Sequence, residues 1–476
     1  MHIVIIGAGL VGTQLSRHLI QEKHNVSLIE SNQERARYAS NRLDCLVIHD
    51  EGNSLAALEE AGIAKAQALI CTTDSDEINM IICGLAASRY PNLLKIARVR
   101  NDDYVRLNRS GERILGIDHF VHPDVEASRS VLNAIEHGAM GEVLAFPNTP
   151  YELGSIDIAG GSAFDGLKLM EFRSLINGES LVTLVDRNGK SILPGGTTVL
   201  ARGDRVHVLA KEADLSGIFE LAGQSKQNLR KIGIVGGGRV GTLIAEGLLN
   251  QGQAAEQNRK IKKGWSIFSF VKSLIPKSVR KVTIIEQDYG LCKDLAARFP
   301  EALILNEDIS DESFVAEDRI YNLDLIVTAT EHQELNIITA AYLKSRGVHR
   351  AIALVSGAGY GTIARQLGVD VVIPMKSVVV DSILSHLMGG GVKGVHRIGD
   401  GSIGIIEIEI GPNTPLADKP ITSFRLSAGG LIMLVNREKA AFIPKGDYVF
   451  KKEDRVILIA KDGSEKEIEK FFGTFL

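Results

Sequence analysis

The chain alternates short apolar runs with segments of helical length, and it does so twice. The apolar runs of the first half occupy residues 2–6, 26–29, 45–48, 68–71 and 95–99. Those of the second half occupy residues 231–235, 282–285, 302–305, 325–328 and 351–355. Such runs, bounded by Gly, Asp and Thr, are typical of parallel strands buried on both faces. The pattern predicts two α/β domains, each with a parallel sheet of about five strand and helix units.

Each predicted sheet is followed by a stretch with a different pattern. Apolar and polar residues now alternate with a period of two, as in residues 155–159, 181–185 and 205–209 of the first half and residues 407–410, 431–435 and 455–459 of the second. This period indicates half-buried strands, and turns containing Pro and Gly separate them. We therefore expect a small, strand-rich α+β lobe after each sheet. The predicted domains are residues 1–137, 138–228, 229–385 and 386–476.

Composition narrows the class of protein. The chain has 476 residues, of which 45% are apolar and 24% are charged, as in ordinary globular proteins. The net charge of -4 provides no general attraction to nucleic acid, so we expect no nucleic-acid partner. Neither a signal peptide nor an apolar run of roughly 20 residues is visible. The four cysteines lack metal or redox spacing, so we expect reduced core residues and a cytoplasmic location.

A glycine turn follows the first strand of each half and precedes a predicted helix. The residues of the first turn are Gly7, Ala8, Gly9, Leu10, Val11 and Gly12. Those of the second turn are Gly236, Gly237, Gly238, Arg239, Val240 and Gly241. In this context the glycines allow a tight turn, a close approach of the backbone to a pyrophosphate, and packing of the helix on the strand. Both parallel-sheet domains are therefore expected to be Rossmann-like and to bind a nucleotide.

An acidic residue ends the second strand of each half, Glu30 in the first and Glu286 in the second. A carboxylate at this position accepts hydrogen bonds from ribose hydroxyl groups and repels a 2'-phosphate. The spacing therefore favours NAD or NADH over the phosphorylated dinucleotides. The other interpretation of Glu30 is a solvated acid at a strand end.

Further polar residues lie where strands of the first half end. Asp50 follows the third strand and is predicted either near the adenine or as a turn or cap residue. Thr73 and Asp74 follow the fourth strand, where ligands of open α/β sheets bind, and helix capping is their alternative role. Arg98 is a cation in an apolar strand, where an unpaired charge is unfavourable, so it should pair with a phosphate or with a carboxylate such as that of Asp74.

The second half repeats this arrangement less completely. Thr330 and Glu331 match Thr73 and Asp74, whereas the residue that matches Arg98 is Leu354. Arg239 adds a hydrogen-bond donor directly after the glycine triplet. We therefore expect the two sites to differ in affinity or in the nucleotide they prefer.

A basic and aromatic insertion near residues 253–280 has no counterpart in the first half. It contains the residues Lys260, Lys262, Lys263, Trp265, Ile267, Phe268, Phe270, Val271, Lys272, Leu274, Ile275, Lys277 and Arg280. One interpretation is an amphipathic element that contacts a membrane surface or a membrane partner. The other, which we favour, is an insertion that packs its aromatic side chains on its parent domain.

No recurrent set of His, Lys or Tyr residues could serve as acid and base beside a nicotinamide, and no residues have metal-ligand spacing. The sequence therefore favours a ligand that acts as a signal over one that reacts, and we expect neither catalytic residues nor a metal site. The alternatives are an NAD-dependent oxidoreductase on a duplicated scaffold and a nucleotide sensor for a different ion transporter.

The glycine turn of residues 7–12, Glu30, the turn of residues 72–74 with Glu77 and Asn79, and the turn-rich lobes resemble the RCK, or KTN, family of regulatory modules. Two such pairs in one chain resemble the peripheral regulatory subunits of Trk-type potassium uptake systems. The resemblance implies binding of NAD or NADH, with ATP or ADP as further candidates. It also implies a homo-oligomeric gating ring at the inner face of the cell membrane, beneath an integral membrane subunit that conducts potassium.

This resemblance also assigns residues. It implies that residues 7–11, Glu30, Thr73, Asp74 and Arg98 hold the first nucleotide, and that residues 236–240 with Glu286 hold the second. A ligand can shift a conformational equilibrium only if its affinity differs between the states, so the nucleotide would have to be sensed where N-terminal modules meet.

Overall fold

The structure is a computed structural model. It describes residues 1–21, 23–101, 103–104, 114–139, 141, 143–146, 149–176, 178–224, 229–249, 280–311, 322–387, 392–398, 403–411, 414–427, 429–437, 440–461 and 464–472. The basic insertion predicted near residues 253–280 lies outside these ranges, except for Arg280.

The first sheet is parallel and has six strands. Its strands are β1 (His2–Ile6), β2 (Asn25–Glu30), β3 (Leu46–His49), β4 (Ala68–Cys71), β5 (Leu94–Arg98) and β6 (His119–Val121). The helices that follow its strands are α1 (Leu10–Gln21), α2 (Gln33–Ser40), α3 (Leu55–Glu60), α4 (Asp76–Arg89) and α5 (Pro123–Glu136). The order β3-β2-β1-β4-β5-β6 reverses direction between β1 and β4, where a crevice opens at the strand ends.

Both faces of this sheet are buried, as the continuous apolar runs predict. Ile3 and Ile5 of β1 belong to one apolar cluster, and Val4 and Ile6 belong to a second cluster on the opposite face. Alternate residues of a strand point to opposite faces, so a strand that is covered on both sides is mostly apolar at successive positions.

The first lobe contains an antiparallel five-stranded sheet in the order β10-β9-β11-β8-β7. Its strands are β7 (Val143–Ala145), β8 (Tyr151–Asp157), β9 (Ser180–Arg187), β10 (Lys190–Ile192) and β11 (Arg205–Lys211). Its helices are α6 (Leu169–Leu175) and α7 (Glu212–Leu221).

The second parallel sheet repeats the first in the order β14-β13-β12-β15-β16-β17. Its strands are β12 (Lys231–Val235), β13 (Lys281–Glu286), β14 (Leu303–Asn306), β15 (Leu325–Thr328), β16 (Arg350–Val355) and β17 (Val371–Pro374). The helices of this region are α8 (residues 239–249), α9 (Tyr289–Arg298), α10 (Gln333–Ser345), α11 (Ala358–Gln366) and α12 (Met375–Leu387).

The second lobe again forms an antiparallel five-stranded sheet, in the order β18-β19-β22-β20-β21. Its elements are β18 (Val392–Ile398), β19 (Ile403–Glu409), β20 (Gly430–Arg437), β21 (Ala440–Phe442), β22 (Arg455–Lys461) and α13 (Glu465–Phe472). The predicted fold class is confirmed. Each parallel sheet has six strands where the sequence indicates about five, because the apolar runs of the edge strands β6 and β17 have at most three residues.

The chain folds into two compact units, and each unit contains a helix that follows the sheet of the other half. One unit comprises Met1–Pro123, Leu144–Gln224 and Val379–Leu476, and the other comprises Asp124–Val143 and Ser225–Val378. Within the first unit, Val380, Ile383 and Leu384 of α12 join the apolar cluster around β1. Within the second unit, Ala127, Val131 and Ile135 of α5 join the cluster around β12. Helix periodicity shows which face is apolar but not which sheet that face will cover.

In the part of the chain that the structure describes, no helix is long and apolar enough to cross a membrane. Across the same residues, no group of three or more His, Cys, Asp or Glu side chains is arranged to hold a metal ion. The four cysteines are free thiols.

Candidate nucleotide-binding sites

The first glycine turn connects β1 to α1 through a backbone that requires glycine at two positions. Gly7 has a φ of +97°, in the region that L side chains rarely adopt. At Gly12 a Cβ atom would lie 1.9 Å from the carbonyl oxygen of Gly7, so the first turn of α1 can approach the strand only without a side chain. A Cβ atom at Gly9 would meet nothing within 4 Å. The turn therefore leaves open space at its middle glycine, beside the start of a helix.

Glu30 reaches from the end of β2 into this turn. Its Oε2 accepts a hydrogen bond of 2.5 Å from the backbone N–H of Ala8, and its Oε1 accepts one of 2.8 Å from that of Asn32. Only 6% of the residue is exposed, which is not the environment of a solvated strand-end acid. An ionised carboxylate has about four lone-pair sites, so two backbone bonds leave acceptor capacity for a sugar hydroxyl.

The second glycine turn has the same geometry. Gly236 also has a φ of +97°, and a Cβ atom at Gly241 would lie 1.9 Å from the carbonyl oxygen of Gly236. The N–H of Gly237 donates to Oε2 of Glu286 at 2.7 Å, and the N–H of Asp288 donates to Oε1 at 2.9 Å. Both glycine turns are therefore fixed by the carboxylate at the end of the neighbouring strand.

The turn after β4 is organised by Asn79, a fully buried side chain in the first turns of α4. Its Oδ1 accepts hydrogen bonds from the N–H and the hydroxyl group of Thr73, at 3.0 and 2.7 Å. Its Nδ2 donates to the carbonyl oxygens of Thr73 and Arg98, at 3.1 and 2.8 Å. The helix itself is capped by Ser75, whose hydroxyl accepts from the N–H of Ile78. Helix capping is thus carried out by Ser75 and not by Thr73 or Asp74.

Arg98 and Asp74 come together at the mouth of this turn. Nη1 of Arg98 donates to the carbonyl oxygen of Thr73 at 2.9 Å and to Oδ1 of Asp74 at 3.1 Å. The Arg98 side chain is 8% exposed, whereas that of Asp74 is 78% exposed. The carboxylate partner expected from the sequence is therefore present. The side chain of Arg98 is thus buried at the end of β5, whereas the carboxylate of Asp74 that pairs with it extends into solvent.

The corresponding turn of the second half keeps the asparagine and lacks the cation. Asn336 accepts from the N–H and the hydroxyl group of Thr330, at 3.0 and 2.7 Å. It donates to the carbonyl oxygens of Thr330 and Leu354, at 2.9 and 3.0 Å. Because these bonds reproduce those of Asn79, Leu354 is the structural equivalent of Arg98. Leu354 is buried, and Glu331 is exposed.

The remaining predicted residues either follow β3 or lie on the first turns of α1 and α8. Asp50 is exposed and accepts from the N–H of Glu51, while Ser54 caps α3. Leu10 is 68% exposed on the first turn of α1, and Arg239 is exposed at the matching position of α8. Val11 is partly buried and Val240 is buried. The first turns of α1 and α8 thus differ by one positive charge at an exposed position.

Asn79 and Asn336 organise the two turns, and neither was predicted as a candidate site residue, although Asn79 is one of the residues that carry the family resemblance. The signal was present, because both residues recur at the same place in the two repeats. A polar side chain that recurs on the buried face of a helix needs hydrogen-bond partners. Spacing alone did not reveal that these partners would be the strand ends that frame the crevice.

Family models match most of the chain. The TrkA-N domain model matches residues 3–123 and 268–374. The TrkA-C domain model matches residues 153–223 and 405–473. The matched ranges therefore alternate along the chain in the order of the parallel sheets and the small lobes.

Relatives of similar length match this chain from end to end. A protein of Archaeoglobus fulgidus named Trk system potassium uptake protein TrkA homolog is 28% identical over 475 residues, covering 99% of this chain and 100% of that protein. The Trk system potassium uptake protein TrkA of Halomonas elongata is 26% identical over 480 residues, covering 99% and 98%.

Two solved structures share the fold. The GsuK channel bound to NAD matches with a TM-score of 0.55 at 18% identity, covering 99% of this chain and 78% of that chain. The crystal structure of the GsuK RCK domain matches with a TM-score of 0.54 at 18% identity, covering 99% and 94%. Together with the family models, these matches account for both sheets and both lobes. The chain belongs to the family of proteins built from TrkA-N and TrkA-C domains, which it contains twice in tandem.

Proposed function

We propose that this chain is the nucleotide-sensing regulatory subunit of a potassium uptake system. The observation that carries the proposal is the pair of glycine turns, each held by the carboxylate at the end of the adjacent strand. Such a turn presents backbone N–H groups to a pyrophosphate and an acid to a ribose. The family membership and the names of the full-length relatives connect these turns with potassium uptake.

The ligand of the first site is NAD or NADH, with ATP and ADP as further candidates. Residues 7–12 and Glu30 hold the pyrophosphate and the adenosine ribose, with Asp50 near the adenine. Thr73, Asp74 and Arg98 contact the part of the ligand that reaches the crevice between β1 and β4. In the second site, residues 236–241, Glu286, Thr330 and Glu331 take the same places. The nucleotide acts as a signal and is not turned over.

The chain acts at the inner face of the cell membrane as part of a homo-oligomeric gating ring, beneath an integral membrane subunit that conducts potassium. Support for assembly comes from matching apolar surface on α4 and α10. Ile81 is 51% exposed, and Ile338, at the same position of the second half, is 62% exposed. Ile78 and Tyr342 extend these surfaces. Apolar patches that recur on the same helix of each repeat suit contacts between further copies of the same module.

The test of this function has two parts. Purified protein is titrated with NAD, NADH, NADPH, ADP and ATP in a calorimeter, and we expect binding of NAD or NADH and weaker binding of NADPH. The chain is then purified from membranes together with its partner, and we expect a potassium-conducting membrane protein. Failure to bind any of these nucleotides would overturn the proposal.

Two further results would also contradict it. One is sustained oxidation of NADH with carbonyl substrates, which would identify a dehydrogenase. The other is a membrane partner that conducts a different ion.

A further inference from the structure

Asn79 and Asn336 use every hydrogen-bonding group of their side chains on one turn. A carboxamide has two lone pairs on its oxygen and two N–H donors. In each half the oxygen accepts two bonds from Thr73 or Thr330, and the nitrogen donates to two carbonyl oxygens. The opposite orientation of the amide would place its oxygen against two carbonyl oxygens, so the network determines how the side chain is oriented.

The two asparagines make the same set of hydrogen bonds, but the residue whose strand-end carbonyl they bind differs between the halves. One carbonyl that Asn79 holds belongs to Arg98 itself, and the other, of Thr73, also accepts from Nη1 of Arg98 at 2.9 Å. Asn79 therefore restrains Arg98 at its backbone and, through Thr73, at its guanidinium group. Asn336 holds Leu354, which has no charge to orient.

We infer that Asn79 is a positioning residue for nucleotide binding, which acts by fixing the guanidinium group of Arg98 at the crevice. Asn336 is its counterpart without this role. The inference rests on the proposed function, because it assumes that Arg98 contacts the ligand of the first site. It goes beyond that function by assigning the orientation of the cation to a buried amide that does not touch the nucleotide.

This role differs from a contribution to stability alone. Removing either amide leaves one backbone N–H, one hydroxyl group and two carbonyl oxygens without that partner, and the loss of stability should be similar in the two halves. Only the loss of Asn79 also releases a cation. Asn336→Ala is therefore a control for Asn79→Ala with the same number of lost hydrogen bonds.

The experiment is a double-mutant cycle read out by nucleotide affinity at the first site. Affinity for NADH is measured in the full chain, all variants carrying Glu286→Ala so that the second site contributes little. The variants are Asn79→Ala, Arg98→Leu, both together, and Asn336→Ala. We expect Asn79→Ala and Arg98→Leu each to lower the affinity for NADH about tenfold. The double variant should show no further loss, because residues in contact have coupling energies large enough to account for a tenfold effect. We expect Asn336→Ala to change the affinity less than twofold.

Thermal melts accompany the titrations, and Asn79→Ala and Asn336→Ala should lower the melting temperature equally. If Asn79→Ala does not fold, Asn79→Ser replaces it, because the hydroxyl can keep part of the network. Additive losses in the cycle, or equal losses for Asn79→Ala and Asn336→Ala, would show a purely structural role and overturn the inference alone. A parent protein that binds no nucleotide would overturn the proposed function and this inference together.

Discussion

The two candidate nucleotide sites have the same backbone geometry and different charges. Gly7 and Gly236 share a φ of +97°, and Gly12 and Gly241 leave the same 1.9 Å for a Cβ atom. In contrast, the strand position that carries Arg98 in the first half carries a buried leucine in the second. At these four glycines sterics exclude a side chain, and this fixes the geometry of the turn. We expect charges beside a bound phosphate to tune affinity, and such charges can differ between the repeats while the fold is preserved.

Replacing the packing glycines should have the largest effect and should affect both halves alike. Gly12→Ala and Gly241→Ala force the start of a helix away from its strand, at a cost of about 3 kcal/mol each in the free energy of unfolding. Urea denaturation followed by circular dichroism measures this. Gly9→Ala and Gly238→Ala, where a Cβ atom meets nothing within 4 Å, serve as controls with changes of about 0.5 kcal/mol or less. A harmless Gly241→Ala would show that the second turn does not need the geometry of the first.

Removing the strand-end acids should have the next largest effect. Glu30→Ala removes an acceptor for the ribose and the group that fixes the N–H of Ala8. A hydrogen bond to a charged group contributes about 1.5–3 kcal/mol, so NADH affinity should fall by at least roughly tenfold. Calorimetric titration of Glu30→Ala and Glu286→Ala shows whether each acid serves its own site. The control is Glu34→Ala, which alters an exposed acid on α2 and should leave affinity unchanged.

The variant Arg98→Leu gives the first half the residue of the second and tests the charge difference directly. We expect about a tenfold loss of nucleotide affinity at the first site and a weaker dependence of binding on salt, because one phosphate partner is removed. Titrations at two ionic strengths measure both effects. Arg89→Leu is the matched control, since Arg89 lies on α4 in an exposed pair with Glu59. An Arg98→Leu protein with unchanged affinity would exclude Arg98 from the site.

A second change in the same direction, Leu10→Arg, gives the first turn of α1 the cation that Arg239 provides on α8. An exposed charge near a bound phosphate contributes about 0.5–1 kcal/mol, so affinity should rise roughly threefold. Leu10→Glu should lower the affinity by a similar factor in the same titration. If both variants bind as the parent does, this exposed position lies too far from the phosphates to distinguish the two sites.

The smallest expected effect is on the pH dependence of stability, and it arises from a histidine on α12, one of the two helices exchanged between the halves. In the first unit, the rings of His119 and His386 stack with their centroids 4.2 Å apart. Burial, and to a smaller extent the charge of His119, lower the pKa of His386 below 6.5. The unfolded chain therefore binds a proton at this histidine more readily than the folded chain does. The contribution of His386 to stability is complete above pH 6.5 and is lost as the pH falls through the lowered pKa. Urea denaturation at a series of pH values measures this slope. His386→Gln should flatten it, and an unchanged slope would assign the effect to other groups.

The sequence predicted the parts of this molecule that depend on local physics. Apolar runs located the strands, and the glycine turns with Glu30 and Glu286 located both crevices, because steric and hydrogen-bonding needs restrict the residue types there. The ion pair of Arg98 with Asp74 was also anticipated, since a charge in a buried strand needs a partner.

Other features depend on contacts between distant segments and were not predicted. The exchange of α5 and α12 is one, because an amphipathic helix can cover either sheet. The networks of Asn79 and Asn336 are another, because their partners are the ends of two strands that only the fold brings together. The edge strands β6 and β17 were missed because their apolar runs have at most three residues, shorter than the runs of four or five residues that located the other parallel strands.

The most direct test of the account is a calorimetric titration of the purified chain with NADH. We expect two components that differ in affinity, a tighter one that Glu30→Ala weakens and a second one that Glu286→Ala weakens. A chain that binds neither NADH nor any other dinucleotide or adenine nucleotide, or that binds equally well without both acids, would contradict it.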